Sequence, residues 1–280
     1  MTRGKIRRRF VRLAGVLTPL ALGLTTALPA GASGGQVVVP RGSPVEIAVV
    51  LDHSGLNAAA GASARNAVQM AVEKHALIRG FRVQLNDYDG PCGNPPANAV
   101  AATEVVANSQ NVAVIGHMCS SGDAVALPMY ETAGLVTLSG STTNPSLPTV
   151  GPNIFNAVIV PDPSSGAWYA QVQTLPSDIF WRMRYTKEFG SSPLLSADLY
   201  YDAASIILDE IAATATVDQG NLVIDRGALA RAVRALSDSP APGFKGVTCW
   251  IRLIQEPPEE GYRVNDPASL GQCAETGNGH

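Results

Sequence analysis

The chain has 280 residues, of which 46% are apolar and 15% are charged, and its formal net charge is −3. It carries no acidic or basic block typical of disordered chains, so most of it is expected to fold. Six basic residues lie in the first dozen positions; the 248 residues after position 32 carry 14 basic and 23 acidic side chains, a net −9. That charge argues against binding to nucleic acid or to an anionic membrane surface.

The amino-terminal 32 residues have the layout of an export signal. A basic segment, Arg3–Arg12, precedes an apolar stretch, Leu13–Leu28, and Ala30-Gly31-Ala32 has the small residues of a cleavage site. The alternative is a membrane anchor, but the apolar run is short and Pro19 interrupts it. Arg7-Arg8-Arg9 leaves general secretory and twin-arginine export both open. We therefore predict a signal peptide over 1–32 and a mature protein that is periplasmic or secreted.

Residues 33–44 are rich in Gly, Ser and Pro and are predicted to form a flexible leader. After it, strands and helices alternate. The predicted strands are Val45–Leu51, Phe81–Leu85, Val112–Ile115, Leu135–Leu138 and Ile154–Val160, and helical patterns separate the first four: Ala64–Val72, Asn94–Ala107 and Ser121–Ala133. This alternation predicts an α/β fold, with a doubly wound, mainly parallel sheet and helices on both faces.

Helical patterns dominate the second half of the chain. Predicted helices cover Ser177–Phe189, the apolar stripe Tyr200–Ile211 and a segment that Asp225 caps, and predicted strands cover Cys249–Ile254 and Tyr262–Val264. On the helix after Asp225, the arginines are interpreted as a solvated face; they are Arg226, Arg231 and Arg234. The three tryptophans, Trp168, Trp181 and Trp250, are interpreted as core residues.

An oxidising compartment favours disulfides among the four cysteines. Cys92, Cys119, Cys249 and Cys273 allow three pairings, and their spacing favours two local bridges, Cys92–Cys119 and Cys249–Cys273. No CxxC is present and the four histidines are scattered, so no metal site and no cofactor are predicted. A hydrolase that uses Cys119 or Ser120 with His117 is a further hypothesis, although no G-x-S-x-G elbow precedes either residue.

Hydroxyl side chains follow two of the predicted strands. Ser120 and Ser121 begin a helix, and Ser139, Ser141, Thr142 and Thr143 follow the next strand. In parallel sheets, ligands bind at the carboxyl ends of the strands. A helix N-terminus attracts a carboxylate, and nearby hydroxyls can bind either end of a zwitterion. The pattern therefore suits an amino-acid ligand; the alternative is that these residues only cap a helix and form a turn.

Four stretches carry a family resemblance. They are Val45–Gly55, Asn86-Asp87-Tyr88-Asp89-Gly90-Pro91-Cys92, Val114-Ile115-Gly116-His117-Met118-Cys119-Ser120-Ser121 and Leu138-Ser139-Gly140-Ser141-Thr142-Thr143-Asn144-Pro145. In this order and spacing they resemble the periplasmic leucine/isoleucine/valine-binding proteins of ABC importers, which have a type I fold of two α/β lobes around a cleft. The resemblance covers 45–160 well and 166–256 more loosely.

The resemblance implies particular site residues. The family's first disulfide corresponds to Cys92–Cys119, and its positions for the ligand's carboxylate and ammonium groups correspond to Ser120, the Ser141 backbone and the Thr143 hydroxyl. We add Ser121 to the candidate ligand-binding residues. The family's first-loop aromatic corresponds to a position near Ala60, so that contact is lost, and His53 is the candidate substitute.

The resemblance also implies that the second lobe is largely absent. In the family, the chain leaves the first lobe near the position of Val160 and builds most of the second lobe before it returns, whereas here a short crossover, 161–167, leads to a segment resembling the return strand. The predicted organisation is a signal peptide (1–32), a leader (33–44), two parts of one lobe (45–160 and 168–273) joined by this crossover, and a disordered tail (274–280).

These features predict a binding protein without catalytic activity. The leading hypothesis is an exported solute-binding protein for branched-chain or related small amino acids, whose partner is the membrane permease of an ABC importer. The alternative is a degenerate, single-lobe sensor or interaction domain without transport activity, which would form a homodimer through the exposed cleft face.

Overall fold

The computed structural model describes Met1 and residues 35–144, 146–158, 179–236, 243–248, 250–251, 253–255 and 263–265. Several predicted features lie outside the described residues: positions 2–32 of the signal peptide, the crossover 161–167, the tail 274–280, Trp168, Cys249 and Cys273.

The described strands and helices have the following bounds. The strands are β1 (Gln36–Val39), β2 (Val45–Leu51), β3 (Val83–Asp89), β4 (Asn111–Gly116), β5 (Val136–Ser139), β6 (Phe155–Ala157), β7 (Thr216–Asp218), β8 (Asn221–Asp225), β9 (Phe244–Lys245), β10 (Trp250–Ile251), β11 (Leu253–Gln255) and β12 (Arg263–Asn265). The helices are α1 (Ala58–His75), α2 (Pro95–Ala107), α3 (Ser120–Ala133), α4 (Leu147–Val150), α5 (Ile179–Phe189), α6 (Ala197–Thr214) and α7 (Arg226–Ala235).

A mainly parallel sheet organises the fold. Its strand order is β11-β12-β6-β5-β4-β2-β3, and every neighbouring pair is parallel except β11 and β12. The connection from β2 to β3 moves across the sheet in the opposite direction to the connections from β3 to β4 and from β4 to β5. Because such crossovers are right-handed, α1 lies on one face of the sheet and α2 and α3 lie on the other. α6 packs on α1, and α2 packs on α3. The predicted doubly wound α/β fold is confirmed.

The central strand β2 shows why the hydrophobic pattern predicted the sheet. Its sequence, Val-Glu-Ile-Ala-Val-Val-Leu, is almost entirely apolar because helices cover both faces, and Val45 and all of 47–51 are buried. β3, in contrast, lies at the edge of the sheet, where polar residues are tolerated. It therefore runs over Val83–Asp89 instead of the predicted Phe81–Leu85, and its register pairs Val45 with Val83 and Leu51 with Asp89.

The prediction of a flexible leader over 33–44 was wrong. Gln36–Val39 forms β1, which pairs antiparallel with β8 in a three-stranded sheet, β1-β8-β7. Alternate residues of β1 face the core, since Val37 and Val39 are 4% and 2% exposed. Burial of these two side chains offsets the entropy cost of ordering the segment, which a composition-based argument does not consider.

The interpretation of Arg226 as part of a solvated face was also wrong. Arg226 is half-buried, and its guanidinium donates to the carbonyl oxygens of Ser109 (2.8 Å), Asn111 (2.6 Å) and Ala133 (3.4 Å). Ala133 ends α3, where carbonyl groups lack intrahelical partners. Asp225 caps α7 as predicted, since its Oδ1 accepts from the Ala228 N–H at 2.7 Å.

One lobe accounts for the described strands of the large sheet. The chain passes from β6 to α5 through residues 159–178, and these 20 positions are too few to build a lobe. This agrees with a largely absent second lobe. Among the described helices, none is long and apolar enough to cross a membrane.

Candidate functional site

Four loops meet at the carboxyl edge of the large sheet. They follow β2, β3, β4 and β5, which are parallel neighbours, so their ends lie at the same edge. A disulfide joins two of these loops: Cys92 follows β3, Cys119 follows β4, and their Cα atoms are 5.5 Å apart. The Cys92–Cys119 pairing is therefore confirmed. The Cys92 N–H also donates to Asp52 Oδ2 at 3.1 Å, which ties the loop after β2 to the same cluster.

The structure brings Ser120 and Thr143 together. The Ser120 Oγ accepts the N–H groups of Thr143 and Asn144, both at 3.2 Å, which holds the loop after β5 against the first turn of α3. Ser120 and Thr143 are each partly exposed. The Thr143 hydroxyl has no hydrogen-bond partner among the described residues, so it remains available at the rim of the sheet.

The N-terminus of α3 presents free donors at this rim. The first helical N–H bonds to Cys119 come from Gly122 and Asp123, and the N–H groups of Ser120 and Ser121 have no partner in the described part of the chain. Ser121 is exposed. A helix of 14 residues concentrates partial positive charge at these groups. The arrangement can bind a small anionic group such as a carboxylate.

The third predicted site residue, Ser141, is already engaged in hydrogen bonds. Its N–H donates to the Ser139 Oγ at 3.3 Å, its Oγ lies 2.7 Å from the Met118 carbonyl oxygen, and the Tyr200 hydroxyl lies 2.8 Å from the same Oγ. Tyr200 in turn donates to the His117 carbonyl oxygen at 3.0 Å. Ser141 thus braces the loops after β4 and β5 against each other.

His53 lies in the loop after β2 and is exposed. Its N–H donates to Asp89 Oδ1 at 2.9 Å, and the Ser54 hydroxyl donates to Asp89 Oδ2. Although partial burial alone would raise the pKa of Asp89, these donors hold that pKa below its ordinary value. No hydrogen bond joins His53 to Ser120, Ser141 or Thr143 within the described residues. The His53 N–H therefore binds Asp89, and the His53 ring stays a candidate contact for the ligand.

His117 forms a closed polar network beneath the site. It is fully buried; its Nδ1 lies 2.7 Å from Asn98 Oδ1 and its Nε2 lies 3.0 Å from the Tyr130 hydroxyl. Because Asn98 Oδ1 can only accept, Nδ1 carries the proton and Nε2 accepts from Tyr130. Burial lowers the pKa of His117 to about 3, so the ring is neutral at physiological pH.

This network removes the arrangement that the hydrolase hypothesis needs. Cys119 is in a disulfide, and both ring nitrogens of His117 are occupied by Asn98 and Tyr130. His117 is therefore a structural residue. Within the described residues, no group of three or more His, Cys, Asp or Glu side chains is placed to hold a metal ion.

Asp123, in the first turn of α3, supplies a pH-dependent contribution to stability. Burial raises the pKa of this carboxyl to about 7, opposed by the His117 N–H, which donates to Asp123 Oδ1 at 3.2 Å. Between about pH 4 and 7 the folded protein therefore retains a proton that the unfolded chain has lost, so this contribution to the unfolding free energy falls as pH rises toward 7. His117, whose pKa is lowered, acts in the opposite direction below about pH 6.5.

We expect Asp123→Asn to reveal this contribution, because the His117 effect is the same in both proteins and cancels in the difference. The advantage of the wild type over Asp123→Asn should be larger at pH 5 than at pH 8 by about 2–3 kcal/mol. Urea unfolding at the two pH values measures it. An equal difference at both pH values would show that Asp123 has an ordinary pKa.

Sequence reasoning missed two parts of this site. Tyr200 was recognised as one member of the apolar stripe of α6, but its hydroxyl links Ser141 to the His117 carbonyl. Asn98 was not singled out, although it fixes the His117 ring. In both cases the available signal was a polar group on a helix face predicted to be buried, since such groups require partners.

The sequence profile of the periplasmic binding protein family matches residues 44–172. An amino acid binding protein of Pseudomonas aeruginosa is 36% identical over 107 residues, which are 37% of this chain and 28% of that protein. The Leu/Ile/Val-binding protein of Escherichia coli K12 is 36% identical over 74 residues, which are 26% of this chain and 20% of that protein. The chain thus spans less than a third of the length of these curated relatives.

Solved structures agree on the fold. LivJ of Streptococcus pneumoniae, described as a branched-chain amino acid substrate-binding protein in complex with isoleucine, superposes with a TM-score of 0.62 at 14% identity, covering 80% of this chain and 94% of that one. The leucine-binding protein LivK of Thermotoga maritima also gives 0.62, at 16% identity and coverages of 79% and 93%.

The fold is that of a type I periplasmic binding protein, and residues 44–172 are similar to the periplasmic binding protein family. Within this class, the resemblance to the Leu/Ile/Val-binding proteins that the sequence indicated is confirmed.

Proposed function

We propose that this chain is an exported solute-binding protein for branched-chain or related small amino acids, and that it serves as the substrate-binding component of an ABC importer. The observation that carries the proposal is the pair of N–H groups at Ser120 and Ser121, which have no partner among the described residues. They lie beside the Ser120–Thr143 contact at the rim of a parallel sheet. Relatives described as Leu/Ile/Val-binding and leucine-binding proteins support the choice of ligand.

The ligand's carboxylate is assigned to the N-terminus of α3. The two N–H groups and the helix dipole stabilise a negative charge there, and the Ser121 hydroxyl is exposed beside them. The ammonium group is assigned to the loop after β5, where the Thr143 hydroxyl can accept a hydrogen bond. Ser141, held by Tyr200 and Met118, keeps this loop in position.

Binding by one lobe is expected to be weak. A two-lobed protein closes on its ligand, so the absence of opposing contacts costs about 1–3 kcal/mol for each lost desolvated hydrogen bond. Losing several of them moves a micromolar dissociation constant to roughly millimolar. The partner in this proposal is the permease of the importer, and the export-signal pattern of residues 1–32 together with a disulfide supports a periplasmic or secreted location.

Isothermal titration of the mature protein with leucine, isoleucine and valine tests the proposal. Leucinamide is the matched ligand control, because it keeps the side chain and the amine but lacks the carboxylate. We expect millimolar binding of the amino acids and no detectable binding of leucinamide. Thr143→Val should weaken leucine binding by about fivefold or more, whereas Thr186→Val, an exposed and isosteric change on α5, should not.

Two results would count against the proposal. Equal binding of leucine and leucinamide would show that the ligand's carboxylate does not contribute to binding. No heat with any amino acid, combined with a molecular mass that rises with protein concentration, would favour the interaction-domain alternative, in which the lobe forms a homodimer through the cleft face.

A further inference from the structure

Asp123 places a buried carboxyl group in the same helical turn as the candidate ligand site. It lies in the first turn of α3, three positions after Ser120, and its side chain is fully buried. The rim site, defined as Ser120, Ser121 and Thr143, is partly exposed. One turn of helix rises about 5 Å, so the charge of Asp123 acts on whatever binds at the Ser120 and Ser121 N–H groups.

The surroundings of Asp123 suit a neutral acid and not a carboxylate. Its Oδ1 accepts the His117 N–H at 3.2 Å. Its Oδ2 has no hydrogen-bond partner among the described residues, and none of the ion pairs formed by those residues includes Asp123. A buried carboxylate without a cation or a full set of donors is costly, so such a group retains its proton. The raised pKa of about 7 agrees with this.

Asp52, a second buried carboxyl group at the same edge of the sheet, has the opposite surroundings. It accepts three backbone N–H groups, those of Gly55, Asn57 and Cys92. Such donors compensate a carboxylate for the loss of water. Asp123 lacks this compensation, so the two carboxyl groups have different roles at the site.

The charge of the cluster around Asp123 depends on Asp123 itself. Three titratable groups face it: His117 from the loop after β4, Tyr130 from α3 and Tyr200 from α6. Burial lowers the pKa of His117 to about 3 and raises the pKa of both tyrosines above the ordinary value. These three groups therefore stay neutral between about pH 5.5 and 8.5, whereas Asp123 changes charge within that range.

We propose that Asp123 makes the rim site sensitive to pH: the neutral acid leaves the positive end of α3 free to bind the ligand's carboxylate, and the ionised acid repels that carboxylate. The inference rests on the proposed function, which assigns the carboxylate to the N-terminus of α3. Two unit charges less than about 10 Å apart, at an effective dielectric constant of about 20, change a binding constant about tenfold or more. The ligand's ammonium group offsets part of this repulsion, so we expect a change of about fivefold.

Isothermal titration with leucine from pH 5.5 to 8.5 tests the proposal, because leucine stays a zwitterion across this range. The dissociation constant of the wild type should rise about fivefold with pH. That of Asp123→Asn, which is neutral at every pH, should stay constant and close to the wild-type value at pH 5.5. Asp218→Asn, the same exchange at an exposed position of β7, should keep the wild-type profile. His53→Gln should keep the slope of that profile whatever its affinity, because His53 lies outside the cluster.

Carbon-13 resonances of the Asp123 side chain provide a second measurement, which needs no variant. Ligand binding and protonation affect each other reciprocally. Saturating leucine should therefore raise the midpoint of the Asp123 titration by about 0.7 on the pH scale, which is the equivalent of a fivefold change in affinity.

Several results would overturn this inference and leave the proposed function intact. They are a leucine affinity that does not change with pH, an affinity that increases with pH, the wild-type profile in Asp123→Asn, or an Asp123 midpoint that leucine does not move. The absence of leucine binding at every pH would instead overturn the proposed function, and this inference with it.

Discussion

Replacing Gly122 with alanine is expected to lower the unfolding free energy by about 2–4 kcal/mol, because overpacking and a broken buried hydrogen bond act together. A Cβ at position 122 would lie 2.4 Å from Asn98 Oδ1 and 2.8 Å from His117 Nδ1. These two atoms form the buried 2.7 Å hydrogen bond that fixes the His117 ring. The new methyl group therefore has no space unless α3 moves away from α2.

The matched control for this change is Gly35→Ala. A Cβ at Gly35 would have no heavy atom within 4 Å, so its effect should stay within about 0.5 kcal/mol. Urea unfolding of the two variants and the wild type measures the difference. A Gly122→Ala protein as stable as Gly35→Ala would contradict the close packing of α2 and α3 around His117.

Removal of the Cys92–Cys119 disulfide should have an effect of similar size. The bond joins residues 27 positions apart, and closing a loop of that length stabilises a protein by roughly 3 kcal/mol in the chain-entropy model. Because the bond is lost once either sulfur is gone, Cys92→Ala alone should cost about as much as Cys92→Ala combined with Cys119→Ala.

This non-additivity is the signature of a bond and not of packing. Two independent packing losses would add, whereas two atoms of one bond do not. Urea unfolding of the two single variants and the double variant distinguishes these cases. If the double variant lost the sum of the two single effects, the disulfide would contribute little and the cysteines would act only as small buried side chains.

The large sheet could be predicted from the sequence because both of its faces are covered. Val45–Leu51 is an unbroken apolar run, and its bounds agree with the prediction at both ends. The edge strand β3 begins two residues later and ends four residues later than predicted. It continues past the predicted end because an exposed edge permits Asn86 and Asp87 within the strand. The sheet β1-β8-β7 was missed, because its strands are short and β7 is exposed along its whole length.

The site was only partly predictable, because some of its residues are far apart in the sequence. Ser120 and Thr143 follow adjacent parallel strands, so the topology alone places them at one edge of the sheet. Tyr200 reaches the same edge from a helix about 60 residues further along the chain, and its hydroxyl contacts depend on how α6 packs. Periodicity predicts that such a side chain is buried but not which carbonyl its hydroxyl meets.

In the proposed function, the N-terminus of α3 and the loop after β5 bind the head group of an amino acid. Amide resonances of ¹⁵N-labelled mature protein, followed during titration with leucine and with leucinamide, report on these contacts residue by residue. We predict that leucine shifts the Ser120, Ser121 and Thr143 amides progressively and that leucinamide leaves them in place. Leucine-induced shifts confined to residues away from these three, or no shifts at all, would contradict it.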